Sequence, residues 1–349
     1  MSNKFLIVFI FSFGLILLLN SFSSQKDYFL ITTKDVVLKI PKGFPKALYD
    51  FKNNKLSPAL FTLGRKLFYD PILSKDSSIS CASCHERIAA FAHIDHSLSH
   101  GINGLIGKRN VSPLQNLIFK DAFMWDGGIA NLEFQAINPI TNSMEMNETL
   151  SNVVMKLQRN PAYVSLFKIA YKDSVVSSER ILKSLTQFTG LMISANSRYD
   201  KYKRGEDTLS KNELLGMKLV RSRCANCHTG ELFSDNSYRN NGIKPDTSLK
   251  DIGRGAITGI ENDNYKFKVP SLRNIEMTYP YMHDGRFRNL NQVLDHYGSG
   301  KYFTDNYDLS LNKTAGLTVL EKQDIIAFLK TLTDKTFLHD KRFADPNVY

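Results

Sequence analysis

The chain of 349 residues is poor in cysteine, with four in all, at positions 81, 84, 224 and 227. A loop-rich scaffold stapled by disulfides needs a denser set. Tryptophan is scarcer still, Trp125 being the single one. No stretch sustains the apolar–polar alternation of half-buried strands, which excludes a β-sandwich or barrel as the expected fold. The one long apolar run, Phe5 to Leu19, has 15 residues and is broken by Ser12 and Gly14. That is short of the about 20 residues a membrane-spanning helix needs. Acidic residues number 34 against 45 Lys and Arg, giving a formal charge of +11. Nothing resembles a nucleic-acid-binding module, so the surplus suits solubility or the steering of acidic protein partners.

Lys4 ahead of the apolar run, and Ser21 and Ser23 behind it, complete the layout of an export signal over residues 1–24. No cysteine follows the run, so neither a lipoprotein anchor nor another stable membrane anchor is expected. The expected location is periplasmic.

All four cysteines fall in two copies of one pattern, Cys81-Ala-Ser-Cys84-His85 and Cys224-Ala-Asn-Cys227-His228, 143 residues apart. C-x-x-C-H is the attachment signature of a c-type haem. The two thiols bond the porphyrin vinyls, and the adjacent imidazole becomes the proximal iron ligand. A zinc site of four thiolates does not require a His after each pair, and a thioredoxin-like pair needs a βαβ context that is absent. A disulfide within each C-x-x-C leaves both histidines unexplained. Two covalently bound haem c groups, one per domain, are the expectation.

Residues 25–56 are polar and carry Pro41, Gly43 and Pro45, so they read as an extended lead-in. Ser57-Pro58 marks a helix start, and Leu60, Leu63 and Leu67 share one face of the helix that follows. Residues 86–112 hold three glycines and three histidines and read as a loop. Helical periodicity returns at Leu150–Leu157 and at Ile181–Met192. The charged stretch 197–209 is the expected domain boundary. Ser210–Glu213 and Thr318–Glu321 are capping boxes opening two further helices. The fold expected is mainly α, with long loops around two cofactors.

These motifs resemble the bacterial di-haem cytochrome c peroxidases and their MauG-type relatives. The resemblance covers about residues 57–335. It rests on Leu63–Asp70, both haem motifs, Met124-Trp125-Asp126-Gly127-Gly128, Lys268–Asn274 and Tyr279–Gly285. It implies two cytochrome c-like domains: an N-terminal peroxidatic domain over 57–200, a C-terminal electron-transfer domain over 201–335, and a tail over 336–349. Carried over, His85 is the proximal ligand of the peroxidatic haem and His228 that of the relay haem. Gln135 and Glu145 match a distal Gln and a Glu ten residues later, with Glu145 as general acid/base and Gln135 as an orienting donor. Cleaving peroxide requires a group that takes a proton from one oxygen and returns it to the other, as a carboxylate does. Trp125 is implied to lie between the haems and couple them.

The resemblance also implies a distal histidine from the loop after the first motif, His100 by position, with His96 as the lesser candidate. The family's peroxidases place a Met fourteen residues after the position of His283; here that residue is Tyr297, as in MauG-type enzymes. His296 and Met282 are alternatives at the second iron. A calcium ion between the domains is implied at Asn110, Thr278 and Pro280, with mostly carbonyl donors. The resulting reading is a peroxidase that reduces hydrogen peroxide with electrons from a small cytochrome c or cupredoxin. A MauG-like oxidase acting on a protein substrate is one alternative, and a non-catalytic di-haem electron carrier is the other. A homodimer is compatible with either reading.

Overall fold

Helices carry the ordered framework of the computed structural model, which describes residues 31–347. The expected export signal, residues 1–24, lies outside the described residues. Four longer helices, Pro58–Tyr69, Leu150–Gln158, Pro161–Tyr171 and Ser178–Gly190, belong to the first half. Arg198–Lys203, Lys211–Arg223, Leu290–Ser299 and Val319–Lys330 belong to the second. The strands among the described residues are one antiparallel pair of two residues each, β1 (Tyr238–Arg239) against β2 (Phe267–Lys268). The fold is mainly α with long loops.

The two halves are assembled by the same device. Gly64, on the Pro58–Tyr69 helix, lies so close to the Ser178–Gly190 helix that an added Cβ would stand 1.9 Å from the Ser184 carbonyl oxygen. Gly216, on the Lys211–Arg223 helix, meets the Val319–Lys330 helix in the same way, with 1.9 Å to the Asp324 oxygen. In each half the helix ahead of the haem motif thus crosses the last long helix at backbone contact, which only a residue without Cβ permits. The two glycines sit in matching strings, Leu63-Gly64-Arg65-Lys66-Leu67 and Leu215-Gly216-Met217-Lys218-Leu219.

Buried apolar side chains form two cores. The first gathers Leu63, Leu67, Phe68, Phe91 and Phe188, and the second Val220, Phe233, Ile325, Phe328 and Leu332. Three stretches differ from their sequence reading. Val36 and Phe51 of the lead-in are buried in the first core. The tail returns to that core as well: Asp334 caps the short Lys335–Leu338 helix, and Phe337, Leu338 and Phe343 pack against Phe91 and Phe188. The charged stretch 197–209 begins with a helix, opened by a Ser197/Asp200 capping box, whose Tyr199 joins the second core. Its charges mask this because Asp200 is buried against Arg273 in a two-pronged ion pair, both contacts 2.9 Å.

The seam between the halves is polar. Gln115 Nε2 donates to the Arg273 carbonyl at 2.6 Å, and Asn274 Nδ2 donates to Gln115 Oε1 and Ser194 Oγ, each at 2.9 Å. Asn274 Oδ1 accepts from the Asp334 amide at 2.7 Å, and Asp334 Oδ2 accepts from the Ala195 and Asn196 amides. Every member is satisfied, which a buried network requires. The Lys268–Asn274 motif is therefore largely a joint between the halves.

Candidate functional site

The two haem motifs are entered differently and close alike: Ser80 and Ser83 form a reciprocal cap that starts a single helical turn, Cys81–Cys84, whereas Cys224 caps the C-terminus of the Lys211–Arg223 helix and the second motif continues as a turn. Spacing of i to i+3 puts both thiols on one side of such a turn. The His85 amide donates to the Cys81 carbonyl at 2.9 Å, and the His228 amide to the Cys224 carbonyl at 2.9 Å. His85 Nδ1 lies 2.6 Å from the Phe91 carbonyl oxygen, and His228 Nδ1 lies 3.1 Å from that of Phe233. A carbonyl at Nδ1 fixes the tautomer that presents an unprotonated Nε2, as a proximal iron ligand must. Burial pushes the His85 imidazole down to about 4, so it is neutral at ordinary pH.

No disulfide joins Cys81 to Cys84 or Cys224 to Cys227 in the structure. Cys81 packs against the first core and Cys224 against the second, an arrangement unlike a single four-thiolate zinc site. The residues fit one haem in each half.

Beside Cys81, Cys84 and His85 opens a cavity of about 730 Å³. Its walls also carry His100, Asn110, Trp125, Gln135 and Glu145. Glu145 is brought there by a close backbone approach: the Ile102 amide donates to its carbonyl at 2.9 Å. Gly101 makes this approach feasible, since a Cβ would stand 2.1 Å from the Met144 oxygen. Burial pushes the Glu145 carboxyl up from the ordinary carboxylate range. The Cys84 thiol, pushed up by burial, also feels the Glu145 charge.

His100 contributes to the wall, with its ring centroid 4.0 Å from that of His96 and its carbonyl 3.5 Å from Cys84 Sγ. Trp125 is tied at both ends. Its Nε1 donates to the Asn110 carbonyl at 2.9 Å, and its own carbonyl accepts from the Lys268 amide of β2 at 2.7 Å. It thus joins the first cavity to the second half of the chain.

The sequence reading missed Arg109. Its guanidinium lies on the cavity wall and spans two carboxylates, Asp126 at 2.5 Å and Asp251 at 2.6 and 2.7 Å. Asp126 belongs to the Trp-Asp-Gly motif and Asp251 to a loop 142 residues after Arg109. The only signal available was an Arg directly before Asn110, which sequence does not distinguish from a surface Arg.

The second motif has different surroundings. Asn241, also absent from the sequence reading, lies near every candidate for the outer position at this haem. Its Nδ2 donates to Met282 Sδ at 3.2 Å, and its carbonyl is 2.9 Å from His296 Nε2. The Asn241 side chain also lies near enough to Tyr297 to oppose the upward shift of its hydroxyl. His296 therefore has its Nε2 engaged. Burial pushes Tyr297 up to about 12, and the nearby Cys227 and Cys224 thiols push in the same direction. Tyr297 thus lies within electrostatic reach of both cysteines of the second motif.

Of the three calcium candidates, Asn110 donates its amide to the His283 carbonyl at 2.7 Å and its Nδ2 to the Ser97 carbonyl at 3.0 Å. That links it to the turn that carries Thr278 and Pro280. Thr278 closes a turn onto Ile275, and Pro280 is buried. His283, the histidine of the same motif, stacks on Phe267 at 3.7 Å.

Among the described residues no helix is long and apolar enough to cross a membrane. Residues 58–208 match the family model described as di-haem cytochrome c peroxidase. The chain is 33% identical to the methylamine utilization protein MauG of Methylorubrum extorquens, over 82% of each chain. It is 36% identical to the cytochrome c551 peroxidase of Nitrosomonas europaea, over 78% of this chain and 79% of that one. Among solved structures, one of a MauG-like protein associated with microbial copper homeostasis superposes with a TM-score of 0.81 at 30% identity. It covers 88% of this chain and 98% of that one. With two haem motifs on two matching frames and these relatives along most of its length, the chain belongs to the di-haem cytochrome c peroxidase family, MauG proteins included.

Proposed function

We propose that this protein is a periplasmic peroxidase that reduces hydrogen peroxide to water at the cavity beside His85. The observation that carries the reading is the presence of Glu145 and Gln135 on the wall of the cavity that holds Cys81, Cys84 and His85. Haem, attached through the two cysteine pairs with His85 and His228 as proximal ligands, supplies the redox chemistry when bound. Glu145 accepts the proton of one peroxide oxygen and delivers it to the other. Its burial supports this role, because a carboxyl raised toward neutrality both gives and takes a proton at the working pH. Gln135 orients the substrate by hydrogen bonding.

Electrons arrive from a small cytochrome c or cupredoxin at the His228 side and pass through the region of Trp125, whose backbone is joined to β2. The basic surplus suits an acidic donor. A calcium ion at Asn110, Thr278 and Pro280 would brace the same junction. A plain electron carrier has no use for a buried acid in an open cavity, so that alternative is the weaker one.

A specific observation favours a second reading. Tyr297 lies within electrostatic reach of Cys224 and Cys227, and a phenolate donor stabilises ferric iron where a Met ligand favours ferrous. A second haem held through Tyr297 would be a poor high-potential relay and would suit a MauG-like oxidase acting on a protein. Peroxide turnover of the haem-loaded wild type and of Glu145→Gln, with reduced small cytochrome as donor, tests the first reading. The expected result is steady turnover that collapses in the variant. Undiminished turnover by Glu145→Gln would remove Glu145 from the chemistry, and absence of turnover in wild type after partial reduction would favour the oxidase.

A further inference from the structure

A group of side chains outside the haem cavity has no part in the chemistry above. The chain doubles back after the first haem motif: Glu86 and Ala92 pair as an antiparallel bridge, with the Glu86 amide donating to the Ala92 carbonyl at 2.8 Å. This sets Glu86 beside the next residue, His93. One donor atom each of Glu86, His93 and Asp95 lie within 4.8 Å of one another. His93 Nε2 is 3.9 Å from Glu86 Oε1 and 3.2 Å from His96 Nδ1. None of these four residues lines the haem cavity, so haem leaves them available.

We propose that Glu86, His93, Asp95 and His96 form a binding site for a divalent first-row transition ion, of which Zn(II) is the representative. Two imidazoles with two carboxylates are the donor set of such ions rather than of calcium or magnesium, which prefer oxygen alone. The spacing agrees: with bonds of about 2.0–2.1 Å, neighbouring ligands of a tetrahedral ion stand about 3.3 Å apart, close to the 3.2 Å between the two imidazole nitrogens. Closing the wider gaps takes a turn of Asp95, whose side chain is exposed.

The ring of His93 is buried, at 7% exposure, so its Nε2 is presented to Glu86 and His96 from a fixed position. The site would clamp the two ends of the 86–96 loop one residue beyond His85. It would also fix His96, whose ring lies against that of His100 on the cavity wall.

The test uses haem-loaded full-length protein, stripped with chelator, resupplied with excess calcium, then incubated with Zn(II) and passed through a desalting column. Metal analysis alongside iron is expected to find about one Zn(II) per chain in wild type, falling to less than about a tenth in the Asp95→Asn/His96→Asn double variant. Both substituted residues are exposed, so the fold and both haem spectra should persist. A His339→Asn control removes an exposed histidine elsewhere and should keep the equivalent. Wild type that retains no Zn(II), a double variant that retains as much as wild type, or loss in the control alone would each overturn the proposal. The readout is metal content, so it is independent of whether the first cavity reduces peroxide.

Discussion

The two haem motifs share a closing bond onto the first cysteine, a tautomer-fixing carbonyl and a glycine-mediated helix crossing, yet they differ in the side chains gathered around them. Around Cys81–His85 the chain leaves a cavity of about 730 Å³ walled by an acid, an amide and an indole. Around Cys224–His228 it sets Asn241, which bonds both Met282 and His296. What the halves have in common is how to hold a haem. What separates them is the set of side chains that the loops bring beside each motif. In the peroxidase reading, labour would be divided by those loops, while the shared frame only repeats.

That division can be broken from either side. Glu145→Gln should lower peroxide turnover by about 100-fold or more, the usual weight of a positioned acid/base, with both haems still bound. Stopped-flow kinetics with visible spectra as the loading control would check this. Next in size, Asp200→Ala strands a buried guanidinium at Arg273. Loss of one partner of a buried pair costs about 3–5 kcal/mol, read as a fall in the denaturation midpoint, with the second half melting first.

Gly64→Ala and Gly216→Ala each drive a Cβ into a backbone oxygen 1.9 Å away, and overpacking of this kind costs about 1–3 kcal/mol. The comparison sharpens here: hydrogen exchange should rise around the first core for one variant and around the second for the other. Equal loosening of both would mean the halves do not melt separately.

The smallest expected change distinguishes catalysis from stability at one residue. Burial raises the folded-state pKa of Glu145 above its unfolded value. The folded form then binds the proton more tightly, so the carboxyl weakens the fold once pH rises above the unfolded pKa, and fully so above the folded one. Glu145→Gln should therefore melt slightly higher than wild type at neutral pH and level with it in acid. In wild type, the acid limb of turnover should fall at a pH above the ordinary glutamate range.

Much of this was legible in the sequence because it is local. C-x-x-C-H fixes a turn within five residues, and the Ser210/Glu213 and Thr318/Glu321 boxes close within four, as the structure has them. Gln135 and Glu145 were legible only through the family resemblance, since a lone Glu before a helix reads as a surface charge. The rest depends on partners far along the chain. Gly64 is explained by Ser184, and Gly216 by Asp324. Arg109 becomes a bridge only when Asp251 arrives beside it. Phe337 and Phe343 looked like a tail because the core they complete was built some 150 residues earlier. Asn241 left no trace, since asparagine in a loop is ordinary.

The seam of Gln115, Asn274, Ser194 and Asp334 has a consequence for timing. Apolar surfaces slide over one another at little cost, whereas opposed donors and acceptors lose their bonds within a fraction of an ångström. Electron hopping between cofactors slows steeply as their separation grows. In the peroxidase reading, a joint that cannot creep would act as a clock setting: amides and a carboxylate outside the haem cavity would fix the spacing across which one half answers the other.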